Sequence, residues 1–359
     1  MASISAHPYL RTRVHILGSR LRSEGQMREL LEAAPEKLPA RLRLGRLLGE
    51  SMPMERKLHL LEEGLVQQLL SQTAILLRPL DGSSRGVIRH WFQQFELFNL
   101  KALLRGKLNR LPPREIHDQL YVYDLPAAIT LPHEELLRTE SVSELLRKLE
   151  QGPYRDIAIQ ARRSFEENQE SFLLDANIDQ RFFAGLAEHA RTCAEAERDA
   201  VFDLVGKLID RQNLLWLLRY RFSYGLTASE TYYLLVPHGR YLHRQTLMQL
   251  VNLNSFDRVI ASLPPTLASH LGAADRLMHV EYGLNSLLRL QARRTLKASP
   301  SVTARALAFL VLREIELKRI FSLLQGRLLG LPEELIEQAM GLAEQVPGQA
   351  PTAEAQSRG

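Results

Sequence analysis

One pattern occurs three times in this chain, at 95–108, 209–222 and 315–328, and the three copies lie over one another without gaps. An acid aligns in all three (Glu96, Asp210, Glu316), and so does a base near the end (Lys107, Arg221, Arg327). Between them run apolar positions such as Leu100, Leu214 and Ile320, at helical spacing. Asn99 matches Asn213, whereas the third copy has Arg319; Gly106 matches Gly326, whereas the second copy has Tyr220. Leucine matches carry little weight in a leucine-rich chain, so the acid, the base and the glycine pair carry the comparison. Copies roughly a hundred residues apart are too widely spaced for an ordinary solenoid, whose units run about 20–50 residues, and they predict three related helical modules. A shorter echo lays Leu145–Asp156 over Leu247–Arg258. An acid early and a base late in a helix oppose its dipole, contributing about 0.3–1 kcal/mol at exposed sites. The leucine stripe between them would dock on neighbouring helices, so the repeat reads as scaffold.

The rest of the chain is also helical in character. Aromatics are 7% of residues, and leucine mixed with Arg, Glu and Gln favours helix over strand. Leu58, Leu61, Leu65 and Leu69 line one face of a helix expected over 52–77. Ser141-Val-Ser-Glu144 and Thr227-Ala-Ser-Glu230 fit capping boxes, and the first of these helices should stop at Gly152-Pro153. Pro332 opens a further helix, with Glu333 and Glu334 in its first turn. Residues 179–222 lack proline and should form one or two long helices. The best strand candidate, Tyr121-Val122-Tyr123, is weak. The expected fold is all-α: a single domain over 1–345, built from the three internal repeats, with a tail at 346–359 that lacks apolar periodicity and is expected to be disordered.

The chain offers little chemistry. It has no GxxxxGK[ST] loop, no GxGxxG and no GxSxG elbow. Gly82-Ser-Ser-Arg-Gly86 reads as a plain turn. His133-Glu134-Glu135 begins like a zincin motif, but Leu137 stands where the second histidine must be. His238 and His243, five apart on a helix, would face different ways and make a poor metal pair. Cys193, the sole cysteine, excludes an internal disulfide and reads as a structural residue within a helix. No catalytic, cofactor-binding or metal-ligating residue is singled out. No apolar run approaches the roughly 20 residues that span a bilayer. Residues 1–13 carry Arg11 and Arg13 without an apolar stretch, unlike a secretory signal.

The net charge of +5 favours anionic partners. Its basic residues gather at Arg11, Arg13, Arg20 and Arg22, and again at Arg289, Arg293, Arg294 and Lys297. No zinc-finger spacing or glycine–aromatic RNA-binding signature accompanies them.

The run from Glu96 through Asn99, Lys101 and Arg105 to Lys107 resembles the acid-x-x-Asn-x-Lys-x-x-x-Arg-x-Lys helix of the family formed by the C and d subunits of A/V-type rotary ATPases. Asp210 to Arg221 is similar to that family's middle copy, and Asp179-Gln-Arg-Phe-Phe183 to the short signature ahead of it. Leu312 to Leu335 resembles the C-terminal segment, and Tyr9 to Leu21 the opening helix. Arg319 in place of asparagine, His15 and the Pro/Ala tail depart from the family pattern.

The resemblance implies a funnel-shaped, all-helical protein of three similar modules with pseudo-threefold repeat. It implies a non-catalytic central-stalk subunit without cofactors, which is peripheral on the cytoplasmic face of a membrane. Its partners would be the proteolipid ring and the rotor shaft, whose torque it couples to proton or sodium transport. On that reading Glu96, Asn99, Lys107, Asp210, Asn213, Arg221, Glu316, Gly326 and Arg327 are structural residues of the repeat. Arg289, Arg293, Arg294 and Lys297 are the candidates for contact with an acidic shaft end, and neither nucleic acid nor a small-molecule substrate is expected. The alternative is a soluble helical scaffold that binds RNA or an acidic protein partner.

Overall fold

The computed structural model describes residues 6–44, 53–80, 82–121, 131–168, 171–272 and 274–342. Val122, Tyr123 and the tail at 346–359 lie outside the described residues, so the strand and tail expectations are not tested. The described residues form helices and turns, and the fold is all-α.

The chain begins with α1 (Ala6–Gly18), α2 (Glu24–Leu31) and, after a short 3-10 turn, α3 (Leu38–Arg41). Two long helices follow, α4 (Met54–Leu77) and α5 (Gly82–Leu108), then α6 (Pro113–His117), α7 (His133–Leu137), α8 (Val142–Leu149) and α9 (Arg155–Asn168). The middle of the chain contains α10 (Ser171–Arg191) and α11 (Glu195–Leu218), then α12 (Ala228–Tyr233), α13 (Arg244–Val251), α14 (Phe256–Ala261) and α15 (Pro265–Leu271). Last come α16 (Leu277–Ala298), α17 (Val302–Leu328) and α18 (Glu333–Ala339).

Side-chain caps set many of the boundaries by satisfying backbone N–H groups that have no partner within the helix. Thr227 and Glu230 form a full capping box on α12, and Ser23 and Gln26 do the same on α2. Ser141 caps α8, but Glu144 reaches back to the backbone N–H of Glu140 rather than to that of Ser141. Gly82–Gly86 is the first part of α5 rather than a turn, because the long apolar face of α5 carries the helix back through it. Cys193 lies just beyond α10, not within a helix. His238 and His243 face each other across an isolated antiparallel bridge and are not helical.

The six long helices pack in a closed circuit: α17 against α4, α4 against α5, α5 against α10, α10 against α11, α11 against α16, and α16 against α17. The largest buried cluster runs from Leu10 and Val14 in α1 to Leu342, so the two ends of the described chain share one core. A second cluster gathers α5 to α10 around Leu100, Leu103 and Tyr154.

Candidate functional site

The echoed residues converge on one geometry. In each copy the acid sits in the middle of a long helix, because α5, α11 and α17 all begin well before the repeated pattern. All three acids are buried, Glu96 and Asp210 at 1% exposure and Glu316 at 6%, so they do not act as exposed partners of the helix dipole. They hold the backbone that leads into a short helix. Glu96 Oε1 accepts from the N–H of Leu131 at 2.9 Å, just before α7, and Oε2 accepts from the Tyr154 hydroxyl. Asp210 accepts from the N–H groups of Arg240, Tyr241 and Leu242 at 3.1, 2.9 and 2.8 Å, just before α13. Glu316 accepts from the N–H of Arg22 at 3.2 Å and its guanidinium at 2.9 Å, just before α2.

The base holds the far end of the same short helix. Lys107 donates to the carbonyls of Leu137 (2.6 Å) and Thr139, Arg221 to that of Val251 (3.0 Å), and Arg327 to that of Leu31 (2.5 Å). These are last-turn carbonyls or lie next to them, left unpaired by the helix itself and favouring a cation. Each long helix therefore clamps a short one at both ends: α5 holds α7, α11 holds α13, and α17 holds α2. The shorter echo, which lays α8 over α13, does not follow these contacts.

The asparagines pin the connecting backbone in both directions. Asn99 donates to the Tyr121 carbonyl at 2.8 Å and accepts from its N–H at 3.0 Å; Asn213 does the same with Val236 at 2.7 and 2.9 Å. In the third copy Arg319 donates to the Met340 carbonyl at 2.6 Å and makes a two-pronged ion pair with Glu24 at 3.1 and 2.7 Å. Arginine reaches the same kind of carbonyl but has no acceptor of its own, and its buried charge requires a carboxylate.

The glycine pair also has a packing reason. A Cβ on Gly106 would come within 2.5 Å of Ile116 in α6, and one on Gly326 within 2.6 Å of Ile336 in α18. Tyr220 stands at the equivalent point of the second copy, where residues 219–223 wind as a π-helix and buried Thr231 of α12 replaces the isoleucine.

Of the basic candidates, Arg289 is half-buried and bonded to Glu24 at 2.7 Å, so it is engaged inside the protein. Arg293, Arg294 and Lys297 are exposed near the end of α16, with Arg293 4.0 Å from Glu24. Glu24 gathers three arginines from α16 and α17: burial would raise its pKa, but Arg319, then Arg289 and Arg293, hold it below the usual carboxylate range. Sequence reasoning missed Glu24 because its partners lie far away along the chain. The signal available was Arg319 itself, a buried base where the repeat has asparagine.

Cys193 is buried, and burial pushes its thiol up to about 11, far from a reactive thiolate. Among the described residues no group of His, Cys, Asp or Glu is arranged to hold a metal, and no helix is long and apolar enough to cross a membrane.

The family model of the ATP synthase (C/AC39) subunit matches residues 10–339. The chain belongs to the ATP synthase C/AC39 family. It is 22% identical over 348 residues to the C subunit of the A-type ATP synthase from Methanocaldococcus jannaschii, covering 92% of this chain and 86% of the relative. It is 24% identical over 349 residues to the same A-type subunit from Methanothermobacter thermautotrophicus, covering 93% and 87%. With the C subunit of the V-type ATP synthase from Thermus thermophilus it shares 25% over 340 residues, 92% of this chain and 97% of the relative. As a C/AC39 family member the protein is an accessory part of a rotary ATP synthase.

Proposed function

We propose that this C/AC39 protein is the non-catalytic coupling between the rotor shaft and the proteolipid ring, seated on the cytoplasmic face of the membrane and peripheral to it. On this reading the protein is a funnel of three repeated modules that carries torque in one direction or the other during proton or sodium transport. The observation that carries the proposal is the closed circuit of six long helices, in which each clamp joins a long helix to a short one through a buried acid and a half-buried base. A part that passes torque must resist being unwound, and a circuit without a free end does so better than an open stack.

Two surfaces supply contacts. Exposed Arg293, Arg294 and Lys297 suit an acidic shaft end. Leu328, Leu329, Leu331 and Leu335 leave an apolar corner in solvent, with Leu329 69% exposed, which favours burial against another protein of the complex.

Membranes lacking this protein should hydrolyse ATP without ATP-driven ion uptake, and adding back the intact protein should restore uptake. Reversing Arg293, Arg294 and Lys297 together should restore it only in part, since each surface pair is worth about 0–1 kcal/mol. Uptake that persists without the protein would refute the coupling role.

A further inference from the structure

In chain order the six long helices are α4, α5, α10, α11, α16 and α17, so five of the six contacts in the circuit join helices that succeed one another along the chain. The sixth, between α17 and α4, closes the circuit through side chains alone. This closing joint is polar at several points. Arg313 of α17 donates to Gln68 Oε1 of α4 at 3.3 Å, and Gln325 Nε2 of α17 donates to buried Glu62 of α4 at 3.0 Å. A cleft of about 970 Å³ runs beside the joint, lined by Gln67, Gln68 and Gln72 of α4, by Phe309 and Arg313 of α17, and by the N-terminal segment. Gln67 Oε1, Gln72 Oε1 and Arg313 Nε are buried with no hydrogen-bond partner among the described residues. The closed joint therefore forgoes hydrogen bonds that water would supply once the surfaces part, and along the cleft it also lacks packing contacts. α10 and α11 meet differently: Phe183 packs edge-on against Trp216, with ring centroids 5.7 Å apart.

The N-terminal segment, residues 6–44, lies across the joint. α1 packs on both α4 and α17 and buries Leu10, Val14 and Leu17. α2 is fixed to the far side by charge: Glu24 pairs with Arg289 of α16 and Arg319 of α17, Arg22 with Glu316 of α17, and Arg28 with Glu337 of α18. The segment is thus continuous with α4 on one side and ion-paired to α16, α17 and α18 on the other. The side chains of Glu24 and Arg28 are each 44% exposed, so these pairs are open to water and are weakened by salt or by removal of charge.

We propose that the circuit opens at the joint between α4 and α17, and that residues 6–44 are the strap that holds it shut. Releasing the ion pairs of α2 lets α4 and α17 part while the other five contacts stay closed. The device lies within this chain and does not depend on the coupling role.

The test is double electron–electron resonance on the full-length protein, with spin labels on exposed positions of two helix pairs. Ser71→Cys with Lys318→Cys reports across the α4–α17 joint, and Arg181→Cys with Asp199→Cys reports across α10–α11; the native Cys193 is buried and stays unlabelled. Glu24→Gln with Arg28→Gln, added to each labelled pair, removes ion pairs of the strap. It should raise a longer α4–α17 distance about tenfold or more above its population in the parent, a change of 1.4 kcal/mol, and leave the α10–α11 distance unchanged. Should that variant fold poorly, the parent in rising urea gives the same reading: the longer α4–α17 distance should appear before the helical circular dichroism falls. An unchanged α4–α17 distance in the folded variant would overturn the proposal. So would two distances that lengthen together, or an α4–α17 distance that changes only as helix is lost.

Discussion

Glu316 accepts a hydrogen bond from the backbone N–H of Arg22 at 3.2 Å, although 294 residues separate them. The first and second clamps close on segments that follow within the same stretch of chain. The third closes on the N-terminal segment, so α17 near one end of the described chain is completed by α2 near the other. Arg28 strengthens the join by donating to the Leu342 carbonyl at 2.7 Å and pairing with Glu337 at 2.6 Å.

Glu316→Ala should therefore destabilise the protein by about 3–5 kcal/mol, because it leaves the buried Arg313 guanidinium without its carboxylate. Urea denaturation checks this. Deleting residues up to 32 should cost at least as much, since it removes Arg22, Glu24 and the Leu31 carbonyl together.

Gly106→Ala and Gly326→Ala should each cost about 1–3 kcal/mol, as overpacking does where a neighbour cannot move aside. Ile116→Val should recover part of the first loss and Ile336→Val part of the second. Thermal melts arranged as double-mutant cycles would show the coupling.

The three clamp helices all end on a residue in the left-handed region: Arg110 at φ 55°, Gly225 at 72° and Gly330 at 62°. Only the first copy places a side chain there, at a cost of about 1–2 kcal/mol for an L-residue, part of which glycine's extra entropy in the unfolded chain offsets. Arg110→Gly should raise stability by up to about 1 kcal/mol, read as a higher melting temperature.

Acid sensitivity should centre on His90. Its Nε2–H donates to the Phe182 carbonyl at 2.8 Å, and its ring stacks on Phe182 and faces His189. Burial pushes its pKa down to about 4, against the opposing pull of the Phe182 carbonyl and with the help of His189. The unfolded chain binds this proton near 6.5, so the contribution is full above pH 6.5, declines as pH falls from there, and is gone below 4. It amounts to about 3 kcal/mol at most. Asp210 works the other way: burial pushes it up to about 6 despite its three N–H donors, so its contribution declines as pH rises from about 4 to 6. Urea midpoints measured at pH 7 and pH 4.5 should fall less in His90→Gln than in the parent, and more steeply in Asp210→Asn.

The triple echo made the long helices and the matching acids, bases and asparagines legible, because these recur at fixed spacing within one helix. Their partners were not legible. Nothing local ties Glu96 to the Leu131 N–H or Glu316 to Arg22, since those pairings depend on where distant segments return. The dipole explanation for the acids failed because the sequence does not reveal that α5, α11 and α17 begin well upstream of the pattern. Arg289 shares a helix face with Arg293, as their spacing requires, but its engagement by Glu24 follows from the closure of α2 onto α17.

The most direct test of the coupling role is recovery of the tagged full-length protein from gently solubilised membranes of its own host, with partners identified by mass spectrometry. A coupling between shaft and ring should bring the proteolipid and shaft proteins with it. Recovery of the protein alone, or with nucleic acid and no ATP synthase components, would contradict that role.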